Sequence, residues 1–469
     1  MPDPVISVEA MRSWETASWE QGVDRTGVID QVGCAIADWL RPQLKGKPPA
    51  LILAGKGHNG DDGRAAATHL GSDQTRLLEV WDPEESVAEL EAHLSATPTA
   101  IVDCLFGIGL NRPLNPSWSR FIQIINESGI GPVVSIDVPS GLDAETGETM
   151  GAAVEADFTL TIGAPKRGLL THNALKYTGY LRVLSNIGLM PMVHKSDLYF
   201  SSETDFQSQA FRKRPSDHKR TNGHLWLLAG SAGYHGAAVL ATRAALRAQT
   251  GLVTLVTMPE TYSPVAAQLQ QAMVRPWPPS PPALASATAI LIGPGLADPE
   301  LPDPVVTQTI NVWKRSPLPV IVDASALAWI PPSRTPFSSI RIITPHPGEA
   351  ARLLGCQARD IEHDRIAALR KLSRTFGQCW VVLKGTHTLV GRSQGPVYVN
   401  ATGNPGLAQG GSGDVLAGFA AGLIAQPRLQ PDVLLTLRRA VWQHGAAADQ
   451  LADQRSNWII EDLPEALFV

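Results

Sequence analysis

Short apolar runs, each closed by a glycine turn and followed by a helix-like stretch, recur along this chain. In the first half they are "ALILAGKGHNGDDG" (residues 50–63), "AIVDCLFG" (100–107), "VVSIDVPSGLD" (133–143) and "ADFTLTIG" (156–163), with "TRLLEVW" (75–81) as a further strand candidate. In the second half they are "HLWLLAGS" (224–231), "GLVTLVT" (251–257), "AILIGPG" (289–295), "LPVIVDAS" (318–325), "IRIITPHPG" (340–348) and "CWVVLKG" (379–385). Strands alternating with helices predict α/β architecture with parallel, doubly wound sheets. Functional groups in such sheets collect at the carboxyl ends of the strands, where Asn59, Asp103 and Asp137 fall.

The polar segment "SSETDFQSQAFRKRPSDHKRTNG" (201–223) separates the two series. It predicts two domains, residues 1–205 and 216–469. A length of 469 residues and 44% apolar content support a sizeable core in each. A net charge of −5 gives no push toward nucleic acid. No uncharged apolar run reaches the roughly 18 residues of a spanning helix, so no membrane partner is expected. The N-terminal residues do not read as a secretory signal. The four cysteines (Cys34, Cys104, Cys356, Cys379) are far apart and form no CxxC pair. Together these predict a cytoplasmic setting.

Gly55-x-Gly57-x-x-Gly60 matches the dinucleotide fingerprint, and Glu79 follows about 20 positions on, as that fingerprint expects. The turn continues Asn59-Gly60-Asp61-Asp62-Gly63, which hydride transfer does not require. In the second half, "GNPGLAQGGSGDVLAGF" (403–419) sets glycines before an apolar helix. Backbone N–H groups and a helix N-terminus there suit a phosphoryl group in transfer. Asp414 at the mouth of this nest could take a proton from an attacking hydroxyl; the plainer reading is a helix cap. His346 and Glu349 in "TPHPGEAARLLG" sit at a strand end, and Lys384-Gly385-Thr386-His387-Thr388 offers a contact for nucleotide phosphates.

Taken in order, residues from about 216 to 469 resemble the ribokinase-like ADP/ATP-dependent NAD(P)H-hydrate dehydratases. The matching pieces are Lys219–Gly223, "GSAGYHGAAVLATRAALRAQTGLVTLVT", "GPGL", "VDASAL", "TPHPGEAARLLG", "LKGTHT" and "GNPGLAQGGSGDVLAGF". Residues from about 8 to 195 resemble the Rossmann-like NAD(P)H-hydrate epimerase domain through "GKGHNGDDG", "VDCLFGIGLNRPL" and "SIDVPSGLDAETGE". The resemblance implies a repair enzyme, both isomerase and lyase. It would interconvert the epimers of hydrated NADH or NADPH and dehydrate the S form at the expense of ADP or ATP. It implies Asp414 as catalytic base and Gly411, Ser412 and Gly413 around the phosphoryl group. Lys384, Gly385, Thr386, His387 and Thr388 would hold the nucleotide, and Ala237, Gly295 and His346 the hydrate. Mg²⁺ is expected with the nucleotide.

In the first half the resemblance implies K⁺ held by Asn59, Asp103 and Ser140, and Asp137 as acid/base. Substrate would lie against His58, Asn59, Gly60, Asp61 and Asp62, and against a phosphate loop of Gly107, Ile108, Gly109, Leu110, Asn111, Arg112 and Pro113. A homo-oligomer is expected. The chain departs from the family pattern at Lys56, His58, Asp61, Ile108 and Asp30, and in the second half at Ser325 and Gln409. Asp61 brings negative charge to a site meant for phosphates, with Lys56 as its expected offset. Those departures keep open a first half that binds nucleotide without catalysis. The shared GxGD nest keeps open a kinase of the hydroxymethylpyrimidine type. A plain dehydrogenase has only the fingerprint in its favour.

Overall fold

The computed structural model describes residues 2–207, 218–277 and 286–468. It divides into two compact units, one spanning Asp3–Ser196 and one built from Asp197 onward. The strand Leu198–Ser201 pairs with Val397–Asn400, so these residues, counted with the first half in the sequence division, pack with the second.

The first unit is built on a parallel sheet. Its strands are β1 (Ala50–Ala54), β2 (Thr75–Glu79), β3 (Ile101–Cys104), β4 (Val133–Ile136), β5 (Phe158–Ile162) and β6 (Tyr180–Leu184), in the order β2-β1-β3-β4-β5-β6. All of β1 is buried, because both sheet faces are covered. Its side chains alternate between two cores. Leu51 and Leu53 join Phe121, Ile122 and Ile125 on one face, while Ala50 and Ile52 join Val32, Ile36, Leu40 and Ala66 on the other.

The helix Arg25–Leu44 supplies that second face through Val28, Val32, Ile36 and Leu40, a four-residue repeat, and Asp24 caps it by accepting from the N–H groups of Thr26 and Gly27. It crosses the helix His58–Leu70 closely. A methyl group on Gly33 would lie 2.4 Å from the Ala65 side chain, so Gly33 is what permits the crossing. That second helix begins at His58. The polar residues Asn59 and Asp61 lie within its first turn.

The second unit is also an α/β sheet. Its strands are β7 (Leu198–Ser201), β8 (His224–Leu228), β9 (Leu252–Thr257), β10 (Met273–Pro276), β11 (Ala289–Ile292), β12 (Val320–Val322), β13 (Arg341–Ile343), β14 (Trp380–Leu383), β15 (Leu389–Gly391) and β16 (Val397–Asn400). Within this unit they run β7-β16-β15-β14-β13-β12-β11-β8-β9-β10. Pairing is parallel except where β15 meets β14 and β16. The helix Ser412–Ile424 is buried from Val415 to Ile424, apolar on every side, and lies against the helix His235–Arg247. No described helix is long and apolar enough to cross a membrane.

Candidate active sites

In the first unit a cavity of about 710 Å³ opens at the carboxyl ends of β1 to β5. This is the crevice beside the point where strand order reverses between β1 and β3, the expected ligand position in such sheets. His58, Asn59, Asp62 and residues Gly107 to Arg112 line it, with Asp137 at the end of β4. Gly60, Asp61 and Pro113 are not part of the wall. Gly60 serves the turn instead, since a methyl group there would lie 1.9 Å from the Gly55 carbonyl oxygen.

Asp137 has a positive φ of 65°, an uncommon conformation that Asp tolerates better than most residues. Its Oδ1 accepts from Lys166 Nζ at 2.5 Å. Lys166 is 0% exposed and also donates to Thr161 Oγ1 and the Ile162 carbonyl, at 3.2 and 2.7 Å. The sequence reading did not single out Lys166. Its signal was a lysine just past the end of β5, in "TIGAPKRG". Glu15 also lines the cavity. Burial, and then the charge of Asp137, pushes its carboxyl up. Asp62 is buried and lines the same cavity. Burial, and then the charges of Asp137, Asp61 and Glu15, pushes it well above the usual range.

Of the three residues expected to hold K⁺, Asn59 is in this wall, and Asp103 and Ser140 are fully buried and not part of it. Asn59 Nδ2 donates to the carbonyls of Phe106 and Ile136, at 3.0 and 3.1 Å. Asn59 Oδ1 is buried with no hydrogen-bond partner among the described residues. Asp103 is fully buried and accepts from Ser135 Oγ, Ser140 N, Ser140 Oγ and Leu105 N. Burial pushes its carboxyl pKa up, against these donors. No cationic side chain pairs with Asp103 among the described residues.

Two of the departures from the family pattern, Asp61 and His58, have partners. Arg64 donates to Asp61 Oδ1 at 3.0 Å and to Glu79 Oε1 at 2.8 Å. The charge of Asp61 is therefore met by Arg64, and not by Lys56 as the sequence suggested. Arg25 donates to His58 Nε2 at 2.7 Å.

In the second unit Asp414 lies in the first turn of the helix Ser412–Ile424. The N-cap is Gly411, with a positive φ of 97° and no side-chain cap bond. Asp414 is therefore not the cap. Its neighbours form a charged corner. Lys384 Nζ lies 2.8 Å from Asp323 Oδ1 and 3.8 Å from Glu349 Oε2, and it sits against Gly413, where a methyl group would be 3.1 Å from it. Thr344 Oγ1 donates to Asp323 Oδ1 at 2.6 Å. Burial, and then the charge of Asp323, pushes Asp414 up to about 7, against the pull of Lys384. Asp323 is a site residue that the sequence reading passed over inside "VDASAL".

His346 caps the helix Pro347–Leu354, accepting from Gly348 N at 3.0 Å, while Glu349 accepts from His346 N at 2.8 Å. Burial pushes the His346 imidazole down, more than the nearby Glu349 raises it. Gly295 and Ala237 are brought together: a methyl group on Gly295 would lie 3.1 Å from Ala237 Cβ. The Lys384–Thr388 loop is held by Arg365, which donates to the carbonyls of Leu383, Lys384, Thr386 and His387. Within that loop the His387 ring is buried and its basicity falls to about 4. His444, also pushed by burial to about 4, donates from Nε2 to the Ser412 carbonyl at 3.0 Å. Gln409 Nε2 donates to Gly406 O at 2.7 Å, and its Oε1 accepts from Ile460 N, which braces the glycine cluster.

Residues 225–467 match the family model described as NAD(P)H-hydrate dehydratase, and residues 75–168 match that of the YjeF-related protein N-terminus. The chain is 32% identical to the bifunctional NAD(P)H-hydrate repair enzyme of Moorella thermoacetica, over 94% of this chain and 90% of that one. It is 36% identical to that of Escherichia coli, over 86% and 80%. This chain belongs to the bifunctional NAD(P)H-hydrate repair enzyme family. A ribokinase-like superfamily protein from Enterococcus faecalis matches at 24% identity with a TM-score of 0.50, covering 59% of this chain and 96% of its own. That likeness bears on the fold, which is the α/β class expected from the sequence. These relatives, aligned over most of this chain, are repair enzymes and not dehydrogenases.

Proposed function

We propose that this chain restores hydrated NADH and NADPH through two activities. The first unit interconverts the R and S hydrates. The second dehydrates the S form, consuming an adenine nucleotide. The observation that carries the reading is that both halves of a repair enzyme are present in one chain, each with a formed site: the Asp137–Lys166 cavity, and Asp414 beside the Lys384–Asp323 pair.

For the dehydratase, the physical problem is the leaving group. Hydroxide leaves poorly; phosphate leaves readily, pushed by the ring nitrogen. Asp414, as carboxylate, takes the proton of the ring hydroxyl as that oxygen attacks the terminal phosphoryl group and the bond to the rest of the nucleotide breaks, releasing AMP from ADP. Phosphate then leaves the ring, and the neighbouring ring carbon gives up a proton as the double bond forms. The N–H groups of Gly411 to Gly413 and the helix N-terminus face the charge that develops. Lys384 adds a fixed positive charge at the same place, and Asp323 and Glu349 hold it there. Ala237, Gly295 and His346 would contact the hydrate. The Arg365-held loop would hold the nucleotide through Lys384, Gly385, Thr386 and Thr388, with His387 filling the space behind. ADP is the expected donor. Mg²⁺ bound through the nucleotide phosphates would neutralise their charge. Among the described residues no cluster of histidine, cysteine or carboxylate ligands is dedicated to it.

For the epimerase, Asn59 Oδ1 without a partner and Asp103 without a counter-ion fit a bound K⁺, with Ser140 beside them. Such an ion would supply fixed positive charge under the pyrophosphate. Asp137, set by Lys166, is the acid/base candidate, and Gly107 to Arg112 lie where phosphates would pass. With Asp61 neutralised by Arg64 and His58 engaged by Arg25, the departures no longer argue for a first half that merely binds. Homo-oligomeric assembly rests on the family resemblance, and a cytoplasmic setting on the cysteine and apolar patterns of the sequence.

The test supplies separated hydrate epimers with ADP or ATP. S hydrate should regain NADH absorbance with the nucleotide. R hydrate should follow faster than spontaneous epimerisation allows. A stable phosphorylated product without NADH would refute the dehydratase reading, and an R form consumed only at the spontaneous rate would refute the epimerase.

A further inference from the structure

One aromatic residue on the rim of the first-unit cavity has no place in the repair chemistry. Trp81 follows the end of β2, lines the cavity and is 50% exposed, unusual for so large an apolar ring. It is braced. The Arg64 guanidinium lies 5.1 Å from its ring centroid. Arg64 is itself fixed by Glu79 at 2.8 Å, by Asp61 at 3.0 Å and by the Gly55 carbonyl at 2.9 Å. A guanidinium held at three points cannot swing away, so the indole is presented as a rigid platform. Preorganisation of this kind lowers the entropic cost of binding.

Strand order sets what could span the cavity. Trp81 leaves β2 and Asp137 ends β4, with β1 and β3 between them. Three strand spacings amount to about 14 Å. Between the two ends lies the β1 turn. There the helix His58–Leu70 begins behind Gly57, which provides no side-chain cap, so its first N–H groups remain for an anion. Lys56 on the same turn has no ion-pair partner among the described residues. Along one line the cavity thus offers an aromatic face, an anion site and a buried ion pair.

We propose that Trp81, braced by Arg64, stacks the adenine of the hydrated dinucleotide, with the pyrophosphate at the Lys56 to Asn59 turn and the damaged nicotinamide at Asp137 and Lys166. Glu79, the residue a dinucleotide fingerprint would use on the adenine ribose, is here spent on Arg64. Recognition of the adenylate half therefore shifts from ribose hydroxyls to the base. The inference rests on the epimerase reading above.

The experiment compares epimerisation of hydrated NADPH with that of hydrated reduced nicotinamide mononucleotide, which carries the same ring without the adenylate. Trp81→Ala should raise the KM for the dinucleotide about tenfold, the scale of one base–aromatic stack, and should not raise the KM for the mononucleotide. Trp81→Phe should restore most of the loss. Retained epimerisation of the mononucleotide by the same preparations reports that the first unit is folded. An unchanged dinucleotide KM, or KM values that rise in parallel for both substrates, would overturn the proposal. Should the wild-type protein accelerate neither epimerisation, the functional reading fails and the subsite is decided by equilibrium dialysis. There NADPH must bind more tightly than reduced nicotinamide mononucleotide, and Trp81→Ala must abolish that advantage; equal loss for both ligands, or none, counts against it.

Discussion

At the scale of single residues, Asp414 shows a conflict between catalysis and stability. Its carboxyl is pushed from an ordinary 3.8 to about 7, first by burial and then by Asp323. A general base works only when deprotonated, so dehydratase kcat/KM should rise with pH through about 7 to a plateau. Asp414→Asn should cut the rate at least about 100-fold and remove that limb, while the nucleotide still binds. Near-normal turnover in the variant would refute the assignment. The stability effect has the opposite sign. The folded state holds the proton more tightly than the unfolded chain, so this group favours folding at low pH. That contribution is lost as pH rises from 3.8 through about 7. Asp414→Asn should therefore raise the Tm at pH 8, checked by calorimetry on both proteins. Lys166 makes the complementary case. Replacing it with Met strands the Asp137 carboxylate in a buried place, at a cost of about 3–5 kcal/mol in urea unfolding. The double variant Lys166→Met/Asp137→Asn should recover much of that loss, because the uncompensated charge is gone.

At the scale of elements, glycine decides how closely helices approach. Gly418 on the helix Ser412–Ile424 faces Ala241 on the helix His235–Arg247, and a methyl group there would lie 2.0 Å from the Ala241 carbonyl oxygen. Gly418→Ala should thus destabilise by about 1–3 kcal/mol by forcing the helices apart. It should also weaken dehydratase activity, since Asp414 rides on the same helix; a variant with wild-type Tm and turnover would show that the crossing relaxes freely. Elements of this kind were legible in the sequence. The short apolar strand runs, the glycine turns closing them and the glycine nest before Asp414 follow from local pattern. The elements that escaped are those whose signal is not local. Tyr180–Leu184 carries an arginine mid-strand and Leu198–Ser201 is four residues long in polar surroundings. Both are strands because a neighbour pairs with them. The same holds inside the sites. Asp414, Asp137 and Asn59 announce themselves by their turns. Lys166, Asp323 and the Arg64 contacts do not, because each depends on a partner from another turn or strand.

At the scale of the whole molecule, one chain carries two sites with different ionic needs, and that separates them experimentally. The first unit buries a carboxylate, Asp103, among neutral donors, and places the unpartnered Asn59 Oδ1 in the same region. Burying an acceptor without a partner is costly, and a monovalent cation with oxygen ligands removes that cost. Because such an ion binds the folded state and not the unfolded chain, it stabilises by mass action, with the gain growing as the logarithm of its concentration. Exchange of KCl for choline chloride at constant ionic strength should therefore lower the Tm of the first unit and slow R-to-S conversion. Dehydration of S hydrate, which uses the Asp414 site of the other unit, should keep its rate. Asp103→Asn should blunt the response of the Tm to K⁺, since the variant loses the charge that draws the ion. An epimerase rate and a Tm both indifferent to the exchange would mean that Asn59 and Asp103 are satisfied without a cation. A parallel fall in both activities would mean instead that the ion acts outside the first-unit site.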